Sequence, residues 1–326
     1  MDPVALPSPG EFTVIDFRPR NTAPQSIHAN LRIASWNIER GYQLEGIIKT
    51  LQQCRAHIIL LQEVDWLCER TGNKNILNEI AVALSMQAVY GVEFRELHSP
   101  RRTPRLQGGG VHGNAILSCF DLDAPRCHVY QHKPFVWHHS RRYEPREGAR
   151  NALLADCDTP WGKVSLACTH LENRCGMPGR LRQLQELLEQ PEMRSGPLVI
   201  GGDLNTLAHG IARLHPVSWD PWTWRFWGRS EGSIWEQLLS DPRSLAPLPA
   251  GLDGLPDLVR GLRDPFDSRR DITFRKFGGI YRARLDWLLG RGLQWSAPGR
   301  LAFQGSERYS DHTLVMADAK LQSGVL

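Results

Sequence analysis

Pro197-Leu198-Val199-Ile200-Gly201-Gly202-Asp203-Leu204-Asn205-Thr206 is an apolar run that ends in two glycines, an acid and an amide. The apolar half has the make-up of a buried strand, so Asp203 and Asn205 are expected where a strand gives way to a loop, as functional residues of α/β proteins often are. The two glycines leave no side chain between the backbone and a ligand, and a spacing of one residue directs both polar groups to the same side. A carboxylate beside an amide suits a metal ion, a phosphate or an attacking water. The structural alternative is a turn in which Asp and Asn bond their own backbone.

The same form recurs along the chain. Leu31-Arg32-Ile33-Ala34-Ser35-Trp36-Asn37 reads as a strand followed by Ile38 and Glu39, again two polar groups one residue apart. Leu44, Ile47, Ile48 and Leu51 have helical spacing, and His57-Ile58-Ile59-Leu60-Leu61-Gln62-Glu63 reads as a second strand ending in an acid. Glu63 closes a run too apolar for a surface, which favours a functional acid; Asp65 beyond it is left unassigned. Leu77, Ile80, Ala81 and Leu84 predict a helix, residues 87–93 a strand, and Gly113-Asn114-Ala115-Ile116-Leu117-Ser118 a core strand in which Asn114 suits structural bonding or a substrate contact equally.

Two further strands, residues 151–157 and 163–170, follow, the second closing on His170, which reads either as a satisfied core histidine or as a functional one. Leu181, Leu184, Leu187 and Leu188 mark the helix before the strand of Asp203. Asp286 lies inside the apolar stretch Leu285 to Leu289, where an ionised acid is costly without a partner. Ser310-Asp311-His312 supplies one, since an acid that fixes a histidine tautomer raises its basicity.

Composition narrows the class. The 326 residues, 41% hydrophobic and 23% charged, suit a globular protein with a large core. A net charge of +4 allows an anionic substrate but does not by itself name nucleic acid. Seven cysteines without a C-x-x-C pair read as neither a disulfide framework nor a structural zinc site. With no secretory signal pattern and no run near about 18 apolar residues, the expectation is a soluble intracellular protein, cytoplasmic or nuclear, with no transmembrane segment and no obligate protein partner evident.

Residues 1–30 read as an extended lead-in, and 31–320 as one domain with a Trp-rich insertion at about 208–265. The insertion holds Trp219, Trp222, Trp224, Trp227 and Trp235, which are expected to pack together sooner than to face lipid or bases. Residues 101–105 form a basic loop. Residues 132–150 form another, containing Trp137, His138, His139, Arg141, Arg142 and Tyr143, with Arg146 and Arg150 as candidate substrate-binding residues. His138 and His139 do not suggest a metal site, because neighbours on a strand face opposite ways.

Trp36-Asn37-Ile38-Glu39, Leu61-Gln62-Glu63, Thr169-His170-Leu171, Gly202-Asp203-Leu204-Asn205, Leu285-Asp286-Trp287 and Ser310-Asp311-His312, in that order, resemble the motifs of the endonuclease/exonuclease/phosphatase family. This DNase I-like superfamily includes nucleases, sphingomyelinases, inositol polyphosphate phosphatases and deadenylases. The resemblance runs from about Leu31 to Lys320 and implies an α/β fold, a four-layer α/β/β/α sandwich of two mixed sheets flanked by helices.

It also implies Mg²⁺, or Mn²⁺ in its place, and a metal site of Asn37, Glu39, Glu63 and Asp311. By the same resemblance Asp203 and Asn205 orient the attacking water and hold the scissile phosphate. His312 backed by Asp286 is the base or the transition-state stabiliser, and His170 is linked to leaving-group protonation. The implied activity is metal-dependent hydrolysis of a phosphoester, a phosphodiester sooner than a monoester. Nucleic acid and a lipid headgroup both fit as substrate, the latter as in the sphingomyelinases; a non-catalytic phospholigand-binding module is the alternative outside enzymes.

Overall fold

The computed structural model describes residues 5–19, 30–137, 144–207, 220–296 and 305–322. In chain order the strands begin with β1 (Phe12–Asp16), β2 (Leu31–Arg40), β3 (Ile58–Trp66), β4 (Gln87–Glu96) and β5 (Val111–Ser118). Then come β6 (Asp121–Val129), β7 (Arg146–Gly148), β8 (Asn151–Thr159), β9 (Gly162–His170) and β10 (Leu198–Asp203). Last are β11 (Phe274–Lys276), β12 (Tyr281–Ala283), β13 (Asp286–Arg291), β14 (Leu293–Trp295) and β15 (Val315–Leu321). The helices are α1 (Leu44–Cys54), α2 (Ile76–Leu84), α3 (Met177–Leu188), α4 (Pro191–Arg194), α5 (Pro221–Trp224), α6 (Glu231–Ser240) and α7 (Leu255–Leu258).

Among the described residues an eight-stranded sheet has the order β1-β4-β5-β3-β2-β15-β14, with β7 added to β4, and a five-stranded sheet has the order β13-β10-β9-β8-β6. The sheets pack face to face through Ile33, Leu60, Val89, Ile116, Leu153, Leu166, Val199 and Leu288, all at or near zero exposure. Alternation explains the layering: the other faces of the same strands carry the residues that bury the helices. Ala34, Trp36, Ile59 and Leu61 pack with Ile47 and Leu51 of α1 and Leu77 and Ile80 of α2. Ala167, Ile200 and Leu289 pack with Leu181, Leu184 and Leu188 of α3 and with Ile234, Trp235 and Leu238 of α6. The result is the four-layer α/β/β/α sandwich expected from the sequence.

Three readings of local structure change. The lead-in holds β1, which pairs antiparallel with β4 from Phe12↔Gly91 to Asp16↔Gln87. A five-residue segment with alternating exposure caps the sheet edge there, a pattern too short to stand out in sequence.

The Trp-rich stretch is not a separate cluster in its described part. Trp235 is fully buried beside Trp287, with Leu245, Leu252, Leu255, Val259 and Leu262 in the same core as α3. Trp224 and Trp227 do stay out, stacked at 4.9 Å; Trp219 lies outside the described residues. Among those residues no helix is long and apolar enough to cross a membrane.

The third change concerns the glycines of the opening motif. Gly201 faces the other sheet, where a Cβ would run into Leu60, and Gly202 lies against the Thr169 carbonyl of β9. Their small size therefore serves the packing of β10 between its neighbours, not ligand access. Gly202→Ala is expected to destabilise the fold by about 1–3 kcal/mol, because the obstacle is backbone within the sheet. Gly254→Ala, where a Cβ meets nothing within 4 Å, should shift stability by less than about 0.5 kcal/mol. Urea denaturation of both variants measures the contrast.

Candidate active site

The site lies at the end of the sandwich where β2 and β3 of one sheet meet β9, β10 and β13 of the other. Asp203, the last residue of β10, is opposite His170 of β9 and Asp286 of β13 in register. A buried carboxylate needs partners, and it gathers them from both sheets. Asn37 donates through Nδ2 to Asp203 Oδ2 at 3.1 Å and to Glu63 Oε1 at 3.2 Å, tying the sheets together. Asp203 Oδ2 also lies 3.3 Å from His170 Nε2 and 3.7 Å from His312 Nε2. Its Oδ1 accepts from the Asn205 backbone N–H at 2.9 Å.

His312 is held from every side. Its Nδ1 meets Asp286 Oδ2 at 2.8 Å, its backbone N–H bonds the Ser310 hydroxyl, its carbonyl accepts from Trp36 Nε1, and Phe274 packs on the ring at 4.9 Å. The Ser310 hydroxyl in turn donates to the Asn37 carbonyl at 2.7 Å. Thus Ser310-Asp311-His312 is anchored to the same residue that bridges the sheets.

Glu63 is not at a strand end, as the sequence suggested, nor does β2 stop at Asn37. Both strands continue past the site with breaks in register, at Asn37/Arg40 in β2 and Leu61/Val64 in β3. At these bulges Glu39, Arg40 and Glu63 have φ of 45°, 67° and 56°, a left-handed backbone uncommon for such residues. The bulges aim acids out of the middle of an apolar strand. Asn205 likewise has φ 50°, and its amide donates to the Leu171 carbonyl at 2.8 Å, so a turn and not strand alternation sets it relative to Asp203.

Electrostatics separate the groups. Burial would raise Glu63, but His170, Arg40, His112 and His312 hold its carboxyl well below the usual range. Glu39 is raised by burial and by Asp311, against Arg105. Asp311 is raised by burial and by Glu63, against His312. Three acids that push on one another through a half-open mouth, with the Asn37 amide beside them, make a hard-oxygen set that a divalent cation would relieve.

Asp203 is raised to about 7 by burial and by the Asp286 charge. His312 is held well above its ordinary value, since Asp286 and Asp203 outweigh burial. His170 is held well below, by burial and by Arg150. Asp203, Asp286 and His312 also bring three ligand-type atoms within 4.8 Å of one another. There the ring of His312 already lies between the two acids, 2.8 Å from Asp286 and 3.7 Å from Asp203.

The structure thus brings together Asn37, Glu63, His170, Asp203, Asn205, Asp286 and His312, with Glu39 and Asp311 on the rim. Arg146 and Arg150 stand back from them, 4% exposed and ion-paired with Glu96 and Glu93, although both line a cleft beside Glu63. His138, His139, Arg141, Arg142 and Tyr143 lie outside the described residues. The loop at 101–105 is only partly a solvated one: Arg102 is buried against Glu96 at 2.8 Å, and Arg105 reaches Glu39 at 3.1 Å. Asn114 takes its structural reading, bonding Asn151.

Sequence reasoning missed an ion network behind the site. Arg70 clamps Asp65 with two bonds of 2.7 Å, Asp65 holds His112 Nδ1 at 2.8 Å, and Glu96 gathers Arg70, Arg102 and Arg146 within 3.3 Å. The signal was present as charged residues alternating with apolar ones in β3 and β4, but each looked like a surface charge on its own.

A model of the Endonuclease/Exonuclease/phosphatase family matches residues 34–312. The chain belongs to this family. Among curated proteins no sequence matches it. Among solved structures, family member endonuclease/exonuclease/phosphatase from Beutenbergia cavernae is 17% identical with a TM-score of 0.62, over 90% of this chain and 72% of that one. The human Nocturnin catalytic domain with bound sulfate is 15% identical with a TM-score of 0.51, over 96% and 97%. D. rerio TDP2 complexed with single strand DNA product is 16% identical with a TM-score of 0.50, over 90% and 100%. At such identities the shared property is the fold, and members of this family are metal-dependent phosphoester hydrolases.

The buried network makes a stability prediction. Burial opposes ionisation of Glu96, but Arg146, Arg70, His112 and Arg102 hold its carboxyl well below the ordinary value. A depressed folded pKa stabilises fully above the unfolded value of about 4.3, and that stabilisation is lost as pH falls through the lower folded value. Glu96→Gln should cost about 3–5 kcal/mol near neutral pH and flatten the acid limb of the stability profile. Urea melts of both proteins across the acid range test both effects.

Proposed function

We propose that this protein is a Mg²⁺- or Mn²⁺-dependent phosphodiesterase that uses a water nucleophile. The observation that carries the reading is the single Asp203 carboxylate in reach of Asn37, His170 and His312, with Glu63 one amide away. Glu63 would hold the cation, with Asn37, Glu39 and Asp311 around it; hard oxygen donors suit Mg²⁺ or Mn²⁺ over zinc. The bound ion would neutralise phosphate charge and polarise the phosphoryl oxygen.

The chain's own groups divide the remaining work. His312, kept charged between Asp286 and Asp203, suits stabilisation of the anionic phosphate better than proton abstraction. Asp203, raised to about 7, is the carboxylate that takes the proton of an attacking water near neutral pH. The Asn37 and Asn205 amides orient phosphate and water. Burial and Arg150 hold His170 below its ordinary value in the free protein; the charge of an arriving phosphate raises its basicity and fits it to protonate the leaving oxygen.

Nucleic acid is the favoured substrate class. The cleft beside Glu63 is lined by four arginines, and a neighbour of the same fold was solved with a single strand DNA product. A lipid phosphodiester is the second reading, favoured by the stacked pair Trp224 and Trp227, 38% and 52% exposed. The complete set of acid and base groups argues against a non-catalytic module.

Glu63→Ala, Asp203→Asn and His312→Gln should each lower kcat by roughly 10²- to 10⁴-fold, with far-UV circular dichroism unchanged. The assay is metal-dependent hydrolysis of bis(p-nitrophenyl) phosphate, single- and double-stranded DNA, RNA and sphingomyelin. Retained activity in all three variants would refute the assignment, and cleavage of sphingomyelin alone would select the lipid reading.

A further inference from the structure

Next to Glu63 the structure contains a cleft of about 140 Å³ that none of the proposed steps uses. Arg40, Arg146, Arg150 and Arg174 line it, against the acids Glu63 and Glu144. Glu144 is already engaged, bonded by Arg40 at 2.9 and 2.8 Å and by Arg146 at 2.5 Å. Arg150 meets Glu93 through Nη1 alone, at 3.0 Å, while its buried Nε has no partner. Arg174 makes no ion pair among the described residues; its guanidinium lies over Phe135 and Trp137 at 5.8 and 5.9 Å.

The far wall is equally fixed. His112 gives Nδ1 to Asp65 at 2.8 Å, so Nε2 is the ring nitrogen without a protein partner among the described residues. Arg146 is sandwiched by ring faces, 4.5 Å from Trp137 and 4.8 Å from Phe94. These contacts hold the guanidinium planes in place before any ligand arrives, which is what bidentate recognition of a phosphate needs.

We propose that this cleft is a subsite for a second phosphate of the substrate, a short bridge away from the scissile phosphodiester, with Arg150, Arg174 and His112 as its partners. The proposal rests on the phosphodiesterase reading. Size admits a phosphate, since a cavity of about 150 Å³ holds a group as large as benzene, and the chemistry of the lining, not its volume, selects phosphate over a base or an acyl chain. Charge agrees, because four arginines face two acids in the lining, and one of those acids, Glu63, belongs to the proposed metal site.

The test compares dinucleotides carrying a terminal phosphate at one end, at the other or at neither, in wild type and Arg174→Gln. Wild type should prefer one phosphorylated form in kcat/KM. Arg174→Gln should reduce that preference roughly 10- to 100-fold, mainly through KM. Equal kcat/KM for all three in wild type, or a preference that Arg174→Gln leaves intact, would overturn the subsite. Should wild type hydrolyse neither these nor bis(p-nitrophenyl) phosphate, the phosphodiesterase reading fails, and calorimetric titration with inorganic phosphate decides the subsite by itself. Binding weakened by the same factor in Arg174→Gln would support it; identical binding, or none, would remove it.

Discussion

A carboxylate 2% exposed at the junction of two sheets sets the terms for this site. Asp203 is out of contact with water that would otherwise solvate its charge, so each of its oxygens must be met by protein. The groups that meet it come from four places in the chain: Asn37, His170, the Asn205 backbone and His312. Each of these then requires its own support. Asn37 leans on Glu63, and His312 on Asp286 and Ser310, until both sheets and the C-terminal loop are committed to a single arrangement. In a low dielectric such a network is costly when half made and specific when complete.

Backbone strain is concentrated at the same place. Glu39, Arg40, Glu63 and Asn205 all adopt positive φ, at a cost of order 1–3 kcal/mol each. The strands on either side are paired and buried, and they hold these residues where an isolated loop would relax. This is how an apolar central strand such as β3 presents an acid at its middle without losing its place in the core.

The two flanks of Glu63 differ in kind. On the Asp203 side, acids and histidines are arranged so that their proton affinities diverge, Asp203 and His312 upward and His170 downward, which is the condition for acid-base chemistry. On the Arg146 side, buried ion pairs and aromatic faces fix most of the arginines, which makes a rigid wall and leaves Arg174 as the guanidinium with no ion pair among the described residues. On the proposed reading the first flank serves the reaction and the second selects what is admitted, a division that lets one fold serve different substrates.

Much of this was legible in the residues. Alternation and helical spacing located β2, β3, β9, β10, α1, α2 and α3; polar residues at the ends of apolar runs picked out Asn37, Glu63, His170 and Asp203, and an acid inside an apolar run picked out Asp286 with His312 as its partner. Those signals are local: a charged or amide side chain within or beside an apolar run stands out over about ten residues, although the partners that justify its burial lie elsewhere in the chain. The bulges were not legible, because a register break depends on what the neighbouring strand presents. Nor was the role of Gly201 and Gly202, whose close neighbours Leu60 and Thr169 lie far away in sequence. Asp65 was left unassigned, Arg102 fell in a basic loop and Arg146 was a candidate for substrate binding, since nothing in a single chain segment says that these groups will meet Arg70 and Glu96 inside a core. The sequence by itself, through the residue types beside its apolar runs and their family resemblance, pointed to the class of chemistry; only the tertiary structure decided which of these groups lie close enough to shift one another's proton affinity, because pKa depends on distance and burial, and those are properties of the packed sheets.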